Sequence, residues 1–511
     1  MKMGKLFAGL SAAALAASCF AFSAFADADA EVTMNSFEPS AENVKIIGRA
    51  KYIDNDYLWF GATGAGVEFT FDGRYAEIDF NADGNGYSTD NPIRYRYFVD
   101  GNAPVYDLVT EKETQLKIDG VENGTHTVRF EKVSESENGT MRITEIKADA
   151  ENIAPAADKS HKIEFIGDSI TCGYGVDGEY GKDTFTTKNE DGTKTYAYKA
   201  SQILDADYSM FSFSGFGVYS GYPDGGKRNT TSTIEQYYES LGMSWWSDYQ
   251  WDHQLKDEAW DFEQFTPELV VINLGTNDNS YRNAAKDVEN KTDIDPLFVD
   301  AYVSLLKKVR SCNPDAEILC TYGIMGDEIK ELIQKAADNY YSETGDDKIN
   351  VFFFPVQDQE KDGVAVDWHP SDLTHSKDAI LLAEKINELY GWELDAEKYP
   401  DVPADEPEDS SSVEDSSSSD DTSSDDTSST EDSSSEADSS SASSSETISF
   451  TTSSKITSTT FRNGSTTATT TTTTTTASGS DTSPTTGVKS AAAAVSVIAL
   501  GALVAVRKKK K

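Results

Sequence analysis

A β-favouring run, Ile163-Glu164-Phe165-Ile166, passes directly into Gly167-Asp168-Ser169 and a turn that closes on Ile170-Thr171-Cys172-Gly173. A segment of this composition fits the interior of a sheet. The Gly-Asp-Ser after it puts a serine hydroxyl at the strand's carboxyl end, where open α/β sheets keep their ligands. Packing gives a core strand no reason to end this way, whereas a nucleophile does. The plainer alternative is a serine that caps the helix after the turn.

From Lys162 onward, β-branched and aromatic segments alternate with helical ones. The strand candidates are 162–166, 207–213, 269–273, 317–322 and 350–355; the helix candidates include 196–204, 300–311, 327–337 and 378–390. Apolar strands joined by long crossovers predict a parallel sheet covered by helices on both faces, here a five-stranded flavodoxin-like α/β core over residues 160–395. Ahead of it, residues 36–155 carry short alternating runs, such as 67–71, 76–80, 94–99 and 126–130, split by Asp-Gly and Asn-containing turns. That spacing, without a helical period, predicts an all-β jelly-roll sandwich. Two stretches of the α/β region, 177–194 and 222–265, are too long for simple connections and read as functional loops.

The two ends are not part of either domain. Residues 1–26 read as a secretory signal: Lys2 and Lys5, an apolar stretch from Leu6 to Phe22, then Ala24-Phe25-Ala26 as cleavage site. An uncleaved anchor is the alternative. At the other end, an apolar run over 490–506 closes on Arg507 and four lysines, the pattern of a short membrane span held by a basic cytoplasmic cluster. Residues 400–482, rich in Ser, Thr and Asp, cannot bury enough apolar surface to offset their ordering entropy and read as a disordered stalk. The chain carries a formal net charge of −44, and 71 acids face 34 bases within residues 27–400. This balance argues against a nucleic-acid partner and suits a neutral polysaccharide or an uncharged ester. Of the cysteines beyond the signal, Cys172, Cys312 and Cys320, none has a metal-site spacing. Cys312 and Cys320 read as small apolar packing residues rather than a bridge.

Three further segments fall at predicted strand ends or before the last helix: Phe211-Ser212-Phe213-Ser214-Gly215-Phe216-Gly217, Gly275-Thr276-Asn277-Asp278, and Asp367-Trp368-His369-Pro370-Ser371. With Gly167-Asp168-Ser169, these four blocks in order resemble those of the SGNH, or GDSL, hydrolase superfamily. The sandwich in front and the wording of the blocks are most similar to carbohydrate esterase family 2, whose members remove O-acetyl groups from plant polysaccharides. Residues 483–487, Ser-Pro-Thr-Thr-Gly, likewise resemble a Leu-Pro-x-Thr-Gly sorting signal, with Ser483 in place of leucine. That resemblance implies sortase attachment to a Gram-positive cell wall; a plain membrane-anchored tail remains the alternative, and both display the protein outside the cell.

Ester hydrolysis needs an activated hydroxyl and donors for the oxyanion that forms. The resemblance implies Ser169 as nucleophile, with the backbone N–H of Ser169, the N–H of Gly215 and the amide of Asn277 as oxyanion donors. Gly217 is the fallback for Gly215, and Asp278 reads as a loop brace. Among five histidines, His369 fits the base by its place before the final helix, with His375 as rival. For the imidazole's support two arrangements stand open: Asp367 as triad carboxylate, or a Ser169–His369 dyad oriented by a backbone carbonyl. Trp368, Tyr174, Trp245 and Trp246 are candidates for contact with a sugar, since aromatic rings stack on its apolar faces. The competing reading of the aromatic insertion is packing against the sheet. No metal or organic cofactor is called for. The partner expected is an acetylated polysaccharide such as xylan or glucomannan. The same machinery would also serve an esterase or lipase on other acyl esters, and a polysaccharide-binding protein with minor catalysis is the rival of a different class.

Overall fold

Strand segments with alternating burial build the first half of the chain. In Gly66–Gly73 and Ala76–Ala82 the apolar side chains alternate inward, so each strand offers one face to a common core. The computed structural model describes residues 32–403 except 89, 120 and 245–253, and the backbone of 451–462 and 465–476. Two antiparallel sheets face each other. One runs in the order 50–53, 57–60, 141–148, 76–82, 113–118; the other runs 153–155, 66–73, 124–132, 94–99, 105–108. Phe60, Phe69, Phe80, Phe130, Ile78 and Ile143 fill the space between them. This is the jelly-roll sandwich read from the spacing of the strands.

The second half is a five-stranded parallel sheet: β1 (His161–Gly167), β2 (Ala206–Ser212), β3 (Leu269–Asn273), β4 (Glu317–Tyr322) and β5 (Ile349–Phe353), in the order β2-β1-β3-β4-β5. This is the flavodoxin-like order. Helices α1 (Tyr196–Ile203) and α5 (Asp372–Tyr390) cover one face, packing Ala197, Ala200, Leu382 and Ile386 on Ile163, Phe165, Leu269 and Val271. Helices α3 (Asp295–Cys312) and α4 (Lys330–Thr344) cover the other, where Tyr302, Leu306, Ile333 and Ala336 meet Ile166, Val270, Ile272 and Ile318. Successive β1 and β3 residues therefore serve opposite layers, which is why these strands read as unbroken apolar runs. A short helix, α2 (Thr276–Ala284), lies between β3 and α3. Its polar sequence carries no apolar stripe, and it falls outside the helices expected.

Buried ion pairs fuse the two halves. Arg49 of the sandwich is fully buried, pairs with Glu164 of β1 at 2.8 Å, and donates to the carbonyls of Tyr238 (2.6 Å) and Ser240 (2.8 Å). Its guanidinium also lies 4.0 Å from the centre of the Phe211 ring. A second node joins Arg96 and Arg129 to Glu131, which also accepts from Tyr208 of β2. A guanidinium with several acceptors and a ring face is the form in which a cation tolerates such burial.

In the insertion at 222–265 the described rings pack, and largely on the sandwich rather than the sheet: Trp260, Leu255 and Phe265 meet Trp59, Tyr57 and Ile53, and Tyr238 is fully buried. Trp245 and Trp246 lie outside the described residues, as do the signal (1–26) and the sorting segment with its span at 490–506. Among the described residues no helix is long and apolar enough to cross a membrane. Within the segment read as a stalk, Thr451–Arg462 and Ser465–Thr476 pair as an antiparallel hairpin, in keeping with the strand preference of β-branched threonine. Cys172 and Cys320 are buried free thiols, and Cys312 is half-buried.

Candidate active site

The register of the sheet brings three of the four sequence blocks to one edge. Gly167 of β1 is level with Ser212 of β2 on one side and Asn273 of β3 on the other. Ser169, Gly215 and Asn277 therefore come after three adjacent strands by two, three and four residues. Asp168 has a β backbone conformation, and its Oδ1 accepts the Ile170 N–H at 3.0 Å, capping the single helical turn Ser169–Cys172. Gly173 closes that turn with φ at +77°, and a Cβ there would meet the Asp191 carbonyl at 2.2 Å. The sharp reversal leaves the serine at the mouth of the sheet. The capping role thus belongs to Asp168, not Ser169.

The fourth block arrives from the loop before α5. His369 Nε2 lies 2.7 Å from Ser169 Oγ, and Nδ1 lies 3.1 Å from the Val366 carbonyl. Nδ1–H donating to that carbonyl leaves Nε2 free to accept the serine proton. Burial holds the imidazole down to about 4, against the opposing pull of the Val366 carbonyl and of Asp367, so the ring is neutral at ordinary pH and its Nε2 lone pair is open to a proton. His375, the rival, is buried in α5, where its Nδ1 accepts the Tyr196 N–H at 3.2 Å.

The Asp367 side chain does not touch the imidazole. Its exposed carboxylate accepts from Tyr174 Oη at 3.0 Å and supports His369 by charge, while the Asp367 backbone, like the Val366 carbonyl, adds a hydrogen-bonding contribution to the ring. The triad reading is corrected accordingly: a backbone carbonyl orients the ring. The cause lies in the backbone, because Asp367 (φ +51°, ψ +42°) and Trp368 (φ +68°) are both left-handed. Two such residues in a row turn the Val366 carbonyl toward the ring and the Asp367 side chain away from it. Gln357 Nε2 donates to the Trp368 carbonyl at 2.9 Å and helps to hold this strained turn.

The donor side is equally specific. Within the described residues neither the Ser169 N–H nor the Gly215 N–H has a hydrogen-bond partner, and a Cβ on Gly215 would touch only Tyr222, at 3.7 Å. Gly217, the fallback, gives its N–H to the Ser232 carbonyl at 3.1 Å and is enclosed by Ser220 and Asp278. Asn277 Nδ2 donates to the Phe216 carbonyl at 2.8 Å and, over a longer 3.5 Å, to Asp168 Oδ2, the weaker of the two bonds and the one an incoming oxyanion would compete with. Asp278 accepts the N–H groups of Val218 (2.9 Å), Tyr219 (2.7 Å) and Ser220 (2.8 Å), clamping the loop after Gly215. Burial pushes Asp278 up to about 6 despite those donors, and burial, reinforced by Asp278, pushes Asp168 up to about 7.

Aromatic rings form the rim. Tyr174 stands 4.4 Å from the His369 ring and stacks on Phe185 at 4.0 Å. Trp368 (46% exposed) pairs with Tyr180 (43% exposed) at 3.9 Å, and Tyr222 is 60% exposed. Tyr180 and Phe185 lie in the long loop read as functional, but nothing in the sequence singled them out.

Two family models match along the chain: a GDSL-like lipase/acylhydrolase over residues 163–382 and a carbohydrate esterase 2 N-terminal domain over residues 46–156. Residues 163–382 thus form a GDSL/SGNH lipase-acylhydrolase domain and residues 46–156 a carbohydrate esterase 2 N-terminal domain, the pair carried by the carbohydrate esterase family 2 enzymes this chain is similar to. These are serine carboxylic-ester hydrolases. Cellulase/esterase CelE of Acetivibrio thermocellus is 30% identical over 366 residues, covering 70% of this chain and 41% of that protein. The chain thus spans less than half the length of that relative. An acetylxylan esterase / glucomannan deacetylase of Cellvibrio japonicus is 22% identical over 357 residues, covering 69% of this chain and 90% of that one. Among solved structures, a family two carbohydrate esterase from Clostridium thermocellum in complex with cellohexaose superposes with a TM-score of 0.56 at 28% identity. It covers 68% of this chain and 99% of that one. The acetyl xylan esterase Est2A from Butyrivibrio proteoclasticus shares the fold, with a TM-score of 0.62 at 23% identity over 70% of this chain and 99% of that one.

Proposed function

We propose that this chain is a carbohydrate O-acetylesterase, acting on acetylated plant polysaccharide outside a Gram-positive cell. The observation that carries the reading is the 2.7 Å contact between His369 Nε2 and Ser169 Oγ at the carboxyl edge of the sheet. His369 takes the Ser169 proton as Oγ bonds to the acetyl carbonyl carbon. The carbonyl oxygen gains the negative charge and accepts from the Ser169 and Gly215 N–H groups and the Asn277 amide. The imidazolium then gives its proton to the departing sugar oxygen, leaving acetyl-Ser169. Water, deprotonated by the same ring, attacks that ester, and collapse releases acetate and restores the hydroxyl.

A sugar substrate is favoured by the exposed Trp368, Tyr180 and Tyr222 around the site, which offer ring faces rather than an apolar acyl channel. The acidic surface suits a neutral polymer, and the activities after which the relatives are named, acetylxylan esterase and glucomannan deacetylase, point to the same chemistry. Display at the surface rests on the two terminal segments of the sequence, with sortase or the membrane as partner of the tail. The test is acetate release by the purified chain from acetylated xylan and acetylated glucomannan, beside butyryl and longer esters of a common alcohol. Preference for the acetylated polymers is the expected result; turnover of long-chain esters alone would overturn the reading.

A further inference from the structure

Ser214 and Gly215 are the two central residues of a turn closed by the Phe216 N–H on the Phe213 carbonyl at 3.2 Å. Gly215 has φ at +78°, and Ser214 is not among the residues of positive φ, which makes the turn type II. In such a turn the middle peptide, Ser214 C=O to Gly215 N–H, stands across the plane of the turn. Its reversal would put a carbonyl where the oxyanion needs a donor. The Gly215 carbonyl is fixed by the Tyr222 N–H at 2.7 Å. The Ser214 N–H is held by something from the other domain: Oε2 of Glu135, at 2.7 Å.

Glu135 sits just after the strand Gly124–Lys132, is 2% exposed, and reaches beneath the catalytic turn. The same oxygen faces the Cys172 thiol at 3.6 Å, directly under the Ser169–Cys172 turn. Its own backbone is pinned on both sides: Lys132 Nζ donates to its carbonyl at 2.7 Å, and its N–H donates to Glu190 Oε2 at 3.1 Å. Burial and the Glu135 carboxylate push Glu190 well up. One sandwich side chain therefore touches both loops that supply backbone donors to the oxyanion.

We propose that Glu135 is a positioning residue for ester hydrolysis: by holding the Ser214 N–H it keeps the type II turn, and hence the Gly215 N–H, aimed at the oxyanion. The sandwich is then part of the catalytic apparatus and not only a support. This role rests on the esterase reading above. What matters is an acceptor at the right place, not the charge. A glutamine there keeps an oxygen for the Ser214 N–H and offers its NH2 to Glu190, whereas an aspartate keeps the charge but draws the acceptor back by one methylene.

The experiment compares Glu135→Gln, Glu135→Asp and Glu135→Ala in the full chain. It measures kcat and KM on an acetyl ester, and the inhibition constant of a boronic acid that forms a tetrahedral adduct on Ser169. The expected order of kcat is wild type, Gln, Asp, Ala. Gln should stay within about threefold of wild type, and Ala should fall about 10- to 100-fold, the scale of a misplaced donor. KM should stay within about twofold throughout, and boronate affinity should fall in parallel with kcat. Glu135→Gln and Glu135→Asp carry the test should the alanine variant not fold. The proposal is overturned if Asp matches wild type while Gln does not, or if kcat changes without any change in boronate affinity. Wild type that turns over no ester would overturn the functional reading along with this one; an active wild type with an unaffected alanine variant overturns only the role of Glu135.

Discussion

Replacing Asp367 by asparagine separates a triad from a dyad. In a triad whose carboxylate accepts from Nδ1–H, this exchange leaves the ring in the wrong tautomer and lowers kcat about 10⁴-fold. Here Nδ1 faces the Val366 carbonyl at 3.1 Å, and no side chain at position 367 alters that acceptor. Two effects remain. The carboxylate's charge supports the imidazole across a solvent-exposed distance, worth about 1 kcal/mol at high dielectric, or roughly fivefold in rate. The bond from Tyr174 Oη, at 3.0 Å, is retained in weaker form because an asparagine oxygen still accepts it. Asparagine is also among the residues that best tolerate the φ of +51° at this position. Asp367→Asn should therefore keep a wild-type melting profile, with kcat within about tenfold of wild type. Initial rates of acetate release, paired with circular dichroism, measure both. A folded variant slowed about 10³-fold or more would refute the assignment of the Val366 carbonyl as the orienting group.

Three other outcomes are expected from the geometry. Asn277→Ala should lower kcat about 10²- to 10³-fold with little change in KM, as expected for a donor that acts on the oxyanion; steady-state kinetics decides, and a change confined to KM would contradict it. The pH profile of kcat/KM should stay level down to about pH 4, where the imidazole of His369 takes a proton, and fall below it. An acid limb centred near 6.5, the value of an unperturbed histidine, would tell against a desolvated ring. Arg49→Ala leaves Glu164 buried without its cation and should cost about 3–5 kcal/mol in denaturant unfolding; a change below about 1 kcal/mol would show that the pair is dispensable.

The parts of this fold legible in the sequence were those set by burial and turn chemistry. All five strands of the sheet appear as β-branched and aromatic runs, since both faces are covered. Ser169, Gly215, Asn277 and His369 stand in sequence blocks at predicted strand ends or before the last helix. Helix boundaries were less visible. Helix α3 begins at Asp295, ahead of the apolar run, because Pro296 fits the first turn of a helix. Helix α5 starts at Asp372 because the Ser371 hydroxyl accepts the Thr374 N–H at 3.1 Å. The partner of His369 was out of reach, since a backbone carbonyl leaves no mark on residue identity. The left-handed pair Asp367–Trp368 decides the matter; aspartate is among the types that adopt that conformation, but tryptophan rarely does, so two in a row could not be expected. The packing of Trp260 in the insertion was out of reach for a similar reason. Whether a ring packs or faces solvent depends on what lies opposite, and for Trp260 that is the sandwich domain.

The central claim is that Ser169 carries the acetyl group between the two half-reactions. Acid quenching during turnover of an activated acetyl ester, then peptide mass spectrometry, reads this directly. One acetyl group on the peptide containing Ser169, absent from Ser169→Ala, whose turnover is also lost, is the predicted result. Acetyl on another residue, or an alanine variant that still releases acetate at the wild-type rate, would contradict it.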